Sequence, residues 1–174
     1  MNRLNRDRLV MGRLAALVVL AGVSFTQAGT YDASPEALAA IRLNYQAVTQ
    51  MASEGKMLKL TRDSGCLNVP DTVRTAWRDG RGVIRKYTTE GGSDGSALSV
   101  SQYYGPDGRL SFALVQAGAV NGTQVEARLY YGTAGNLLRQ DERTVHGSGY
   151  PFGLLARNVV QFPDVAFNAP RPCP

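Results

Sequence analysis

Two periods divide the chain. Over residues 34–53, Leu38, Ile41, Tyr45, Val48 and Ala52 recur at intervals of three and four, which puts them on one face of a helix. Ser34 supplies an N-cap, Pro35 fits the first helical position where no N–H is needed, and Glu36 faces the positive helix end. Gly55 is a suitable stop.

From about Thr72 to His146 the period falls to two. Six segments emerge, near 72–78, 82–89, 96–104, 109–119, 123–131 and 136–146. They are separated by Asp79-Gly80-Arg81-Gly82, Gly91-Gly92-Ser93-Asp94-Gly95, Gly105-Pro106-Asp107-Gly108, Asn121-Gly122 and Gly132-Thr133-Ala134-Gly135. Connections this short join antiparallel neighbours. The expectation is a β-rich α+β fold, with one N-terminal amphipathic helix packed on a twisted antiparallel meander of about six strands. Such a meander can curl into a half-barrel, and a lipocalin-like closed barrel is the alternative, although six strands are few for closure.

The turns predict a register. Asn121-Gly122 as a two-residue type I′ turn pairs Val120 with Thr123, and by counting outward Leu114 with Leu129 and Phe112 with Tyr131. Gly105-Pro106-Asp107-Gly108 as a type I turn with a glycine bulge pairs Tyr104 with Leu110 and Val100 with Leu114. Both counts place Phe112 and Leu114 with Leu98, Val100, Tyr104, Leu129 and Tyr131 on an apolar face for the helix. The opposite face then holds Ser99, Ser101, Tyr103, Ser111, Ala113, Val115, Glu126, Arg128 and Tyr130, open to solvent or a partner. The last segment, Arg139-Gln140-Asp141-Glu142-Arg143, is charged on both faces, as suits a protected edge.

Tyr103-Tyr104-Gly105-Pro106-Asp107-Gly108-Arg109-Leu110 recurs 27 residues later as Tyr130-Tyr131-Gly132-Thr133-Ala134-Gly135-Asn136-Leu137, and Trp77 and Val83 fall at the same offset before it. The motif resembles the tyrosine–glycine–leucine hairpins of bacterial YD-type surface repeats over these short segments. Three units stop short of a repeat array, and no family is assigned on the likeness. Residues 147–153 form a loop, Leu154 to Phe162 reads as a short helix or a final strand, and the Pro-rich tail continues neither.

Composition changes the picture at the amino end. Arg3, Arg6, Arg8 and Arg13 precede the apolar run Leu14 to Val23 and the small-residue segment ending at Ala28, which is the layout of a secretory signal peptide cleaved after Ala28. Residues 29–174 are then a single globular domain, secreted or periplasmic, with no membrane anchor after cleavage. The formal charge of +5 shrinks accordingly, because the leader carries four arginines and one aspartate and leaves 15 basic against 13 acidic residues. No Lys/Arg cluster with interleaved aromatics remains to follow a row of phosphates, so nucleic acid is not an expected partner. In an oxidising compartment the two cysteines, Cys66 and Cys173, are expected to form one disulfide.

Catalytic parts are scarce. A nucleophile–base pair must use His146, the one histidine, with Ser148 or the carboxylates of Asp141 and Glu142. Glu126 and Glu142 would share a face as a carboxylate pair if the last turn is bulged. The loop at 91–95 has too few carboxylates for calcium, and lacks the lysine and helix of a phosphate cradle. Asn121-Gly122-Thr123 has the form of a glycosylation sequon, though its hairpin role accounts for it. No cofactor or metal is expected. The reading is therefore an exported non-enzymatic protein of uncharacterised role. It binds a ligand or protein partner through Tyr103, Arg128 and Tyr130 on the polar sheet face, or serves as a structural envelope module. The alternatives are a small hydrolase using His146 and an inhibitor of another secreted protein acting through loops 91–95 and 147–153.

Overall fold

The computed structural model describes residues 33–63 and 72–169. The expected signal peptide and both cysteines, Cys66 and Cys173, lie outside them. One helix, α1 (Pro35–Ser53), precedes seven strands: β1 (Leu58–Arg62), β2 (Val73–Arg78), β3 (Ile84–Ser93), β4 (Ser96–Tyr104), β5 (Leu110–Ala119), β6 (Gln124–Tyr131) and β7 (Leu137–His146). A 3-10 turn at Leu155–Asn158 and the short α2 (Pro163–Asn168) complete the order. The strands pair antiparallel in sequence order, so the sheet is an open meander with β1 and β7 at its edges, not a closed barrel. The fold is β-rich α+β, with one strand more than the pattern suggested. No helix among the described residues is long and apolar enough to cross a membrane.

Helix α1 begins as its sequence dictates. The Ser34 hydroxyl accepts the Ala37 N–H at 3.2 Å. At the other end Gly55, at φ +68°, lets the Lys56 N–H reach the Met51 carbonyl at 3.0 Å and closes the last turn.

Four hairpins share one turn. At Asp79–Val83, Gly105–Arg109, Ala119–Thr123 and Gly132–Asn136, the first N–H donates to the fifth carbonyl, and the fourth residue is a glycine at φ 78–82° whose N–H donates back to the first carbonyl. This is the three-residue loop with a glycine bulge, and Asn121-Gly122 belongs to it rather than to a two-residue type I′ turn. Ala119, not Val120, therefore pairs with Thr123, and Phe112 stands opposite Tyr130.

A second irregularity recurs beyond three of these turns. Trp77/Arg78, Tyr103/Tyr104 and Tyr130/Tyr131 each face a strand with one extra residue: Arg85, Ser111 and Leu138. Tyr104 does pair with Leu110, but after the extra Ser111 it is Val115, not Leu114, that faces Val100. Each expected count thus missed one residue on β5, the two errors agreed, and β5 was assigned to the wrong face. The structural repeat aligns Trp77 with Tyr103 and Ile84 with Leu110, an offset of 26, not the 27 that had matched Trp77 to Tyr104. The missing residue lies in the tighter loop: Ser93 pairs with Ser96 around Asp94-Gly95 alone.

Both faces are covered. On one, Tyr103, Phe112, Leu114 and Tyr130 pack under Ile41, Tyr45, Val48, Met51 and Ala52 of α1. This is the face expected to be open, and Phe112 and Leu114 join it because of the β5 slip. The helix lies across β4, β5 and β6, and Leu138 of β7 and Trp77 of β2 pack against the same cluster. Two of the extra residues pin it, since Arg85 Nη2 donates to Asn44 Oδ1 at 3.0 Å and Asn44 Nδ2 donates to Ser111 Oγ at 3.0 Å. On the other face, Ile84, Tyr87, Val100, Tyr104, Val115, Leu129 and Tyr131 form the larger core under the C-terminal segment 150–169, which contributes Phe152, Leu155, Val160 and Phe167. The Leu154–Phe162 stretch is neither a full helix nor a strand. It is part of this strap.

Candidate functional site

A single register row crosses the helix-covered face. Lys59, Trp77, Lys86, Tyr103, Phe112, Tyr130 and Arg139 stand opposite one another from β1 to β7. The Lys86 ammonium lies 4.7 Å from the Trp77 ring and 5.5 Å from the Tyr103 ring, and Lys59 lies 5.5 Å from Trp77 on its other side. Burial and the neighbouring Lys59 charge pull the Lys86 pKa below its usual value. Next come aromatic contacts, with Tyr45 of α1 edge-on at 4.8 Å from Tyr103 and 5.5 Å from Phe112, and Tyr130 tilted at 5.2 Å from Phe112. The paired tyrosines of the repeat divide between the faces: Tyr103 and Tyr130 turn to the helix, Tyr104 and Tyr131 to the strap.

Beyond the row the same face turns polar, through Thr88, Ser101 and Arg128, then Glu90, Ser99, Gln116 and Glu126. A cleft of about 230 Å³ marks the boundary. Ile41, Arg42 and Tyr45 of α1 form one wall, and Phe112, Leu114, Arg128 and Tyr130 of β5 and β6 form the other. Arg128 is held by Glu126 at 2.9 Å, and that carboxylate also pairs with Arg143 at 3.1 Å. One anion therefore serves two cations, and Arg42 of α1 lines the same cleft as Arg128. The arrangement suits a small molecule with a flat apolar body and a negative group.

Of the three expected site residues, Arg128 and Tyr130 line this cleft. Tyr103 is buried beneath Tyr45 and belongs to the packed aromatic cluster. Burial and the nearby Tyr45 raise its pKa. Sequence reasoning missed Arg42, Tyr45, Phe112 and Leu114. Tyr45 was legible as part of the helix stripe, and Arg42 flanks that stripe three residues before it.

The other candidates come apart. Glu142 stands opposite Ala127, while Glu126 stands opposite Arg143, so the two carboxylates point to different faces and form no catalytic pair. His146 ends β7 opposite Gln124, and both it and Ser148 are exposed. Among the described residues no three His, Cys, Asp or Glu side chains gather as metal ligands. The supposed 91–95 loop is mostly strand, because β3 runs to Ser93. Asn121 is committed to its hairpin, with Oδ1 accepting the Thr123 N–H and Nδ2 donating to Gly149 O. No family model, curated protein or solved structure matches the chain.

Proposed function

We propose that this is an exported, non-enzymatic binding protein whose ligand occupies the cleft between α1 and strands β5–β6. One observation carries the reading: Arg42 and Arg128 line a single cleft together with Ile41, Phe112 and Leu114 and the rings of Tyr45 and Tyr130. The tyrosines offer broad faces to a ring, and the guanidiniums offer hydrogen-bond forks to an acid. A small aromatic carboxylate fits that chemistry.

The test is titration of the full chain with benzoate and, as its uncharged relative, benzyl alcohol. The expected result is benzoate binding that falls about tenfold or more in Arg128→Ala and in Tyr130→Ala, with little response to the alcohol. Unchanged binding in both variants, or no preference for the acid, contradicts the reading. Native mass spectrometry of the protein taken from its own host then identifies the natural occupant by its added mass.

A further inference from the structure

The sheet ends in two open edges, and they differ in charge. β1 and β7 each have a neighbouring strand on one side only, so every second N–H and C=O of each points away from the sheet. On β7 the cations are matched, Arg139 by Asp141 at 2.8 Å and Arg143 by Glu126 at 3.1 Å. A strand approaching that edge meets charges of both signs, already committed to one another. β1 reads Leu58-Lys59-Leu60-Thr61-Arg62, with two cations and no carboxylate. Both cations are exposed and lean on rings, Lys59 at 5.5 Å from Trp77 and Arg62 at 4.7 Å from Phe167. Among the described residues neither has a carboxylate partner, Asp63 beyond the strand end included, and Glu54 before the strand is taken by Lys56 at 2.7 Å.

The two faces of β1 also differ. Lys59 and Thr61 stand in register with Trp77 and Thr75 on the helix-covered face, and the Lys59 charge reaches Lys86, whose pKa it helps to lower. Leu58 and Leu60 alternate to the strap-covered face, where Leu60 packs against the core and Leu58 stays exposed. Leu58 stands opposite Arg78, and Arg78 holds Asp164 at 2.6 Å. That ion pair brings Phe162 and Val165, both exposed and within two residues of Asp164, to the same corner of the sheet. Exposed apolar side chains beside an unpaired strand edge are a combination that folded chains ordinarily blunt, and here nothing on β1 blunts it.

We propose that β1 receives an extended acidic peptide as an eighth strand, its carboxylates against Lys59 on the helix-covered side and its apolar side chains against Leu58 and Leu60 on the other. Main-chain hydrogen bonds would supply the affinity and the alternating side chains the selectivity. A second copy meeting β1 with β1 would set cation near cation. The chain's own leader is basic and its tail proline-rich, so neither complements this edge. The site is remote in kind from the aromatic cleft and stands whether or not that cleft binds.

The experiment titrates the full chain with an acetylated, amidated hexapeptide of alternating Glu and Val. Binding is read from the fluorescence of Trp77, the one tryptophan, and from amide exchange along β1. The expected result is a saturable fluorescence change with slowed exchange in β1 and none in β7, and no response to the matching Lys–Val peptide. Lys59→Glu should weaken the acidic peptide about tenfold or more. Two further peptides carry N-methyl groups on every Glu nitrogen or on every Val nitrogen, each blocking one hydrogen-bonding edge, and at least one of them should lose binding. Equal binding of the acidic and basic peptides, or undiminished binding of both methylated forms, overturns the proposal. So does a chain whose β1 amides are already protected without peptide and whose sedimentation shows a dimer, because a second copy then holds the edge.

Discussion

The two covers of this sheet are held on by different means. Helix α1 satisfies its own backbone, so it needs little from the sheet beyond apolar contact and the polar pin at Asn44. The strap 150–169 has one 3-10 turn and one short helix, and its exposed peptide groups must find partners elsewhere. Buried sheet side chains supply them. Tyr104 Oη donates to the Val160 carbonyl at 2.8 Å, Gln102 Oε1 accepts the Val160 N–H, and Arg74 donates to the Ala166 and Ala169 carbonyls. Burial raises the Tyr104 pKa far above the ordinary phenol value, so the hydroxyl remains a donor at any working pH. An irregular segment can cover a core when the core lends it hydrogen bonds.

Substitutions on each cover separate the two modes. Phe167→Ala, emptying a buried site beneath Arg62 and beside Tyr87, should cost about 3–5 kcal/mol in urea unfolding. Tyr104→Phe leaves the Val160 carbonyl without its donor and should cost about 1–2 kcal/mol with the core shape intact. On the helix side, Ser34→Ala removes the cap from the Ala37 N–H and should cost about 1 kcal/mol, visible as lost helical signal and not as a loosened strap.

The smallest effect concerns the bulged turns. Burial pushes the Asp79 carboxyl up, but the Val83 and Arg81 N–H groups and the Arg81 and Arg85 guanidiniums outweigh it and hold its pKa below the usual value. A carboxyl lowered in the folded state contributes stability above the ordinary Asp range, near pH 4, and loses it as pH falls through the lowered value. Asp79→Asn should therefore flatten the acid side of the stability profile by no more than about 1 kcal/mol. Urea midpoints below pH 4 check it.

Helix α1 was readable because its cap, its stripe and its stop are all local. Six strands were readable for the same reason, while β1, only five residues long, carries too short a pattern to stand out. Register was not readable on β5. Ser111 carries no mark that distinguishes a bulge from an ordinary strand position, and Asn121-Gly122 fits two turn types that differ by one residue. The strap was illegible because its fastenings join residues 56 to 95 apart in sequence. Half of the aromatic cleft could be read from the period of β6, which sets Arg128 and Tyr130 on one side. The other half depended on which face the helix takes, and Phe112 and Leu114 decide that only once β5 is in register.

Amide exchange at Val160 tests most directly whether the sheet's side chains hold the strap. Val160 lies outside every helix and strand, yet its N–H should exchange slowly in the native protein. In Gln102→Leu it should lose that protection while the amides of α1 keep theirs. A Val160 amide that exchanges like an exposed loop in the unaltered protein, or one that stays protected in Gln102→Leu, contradicts that mechanism.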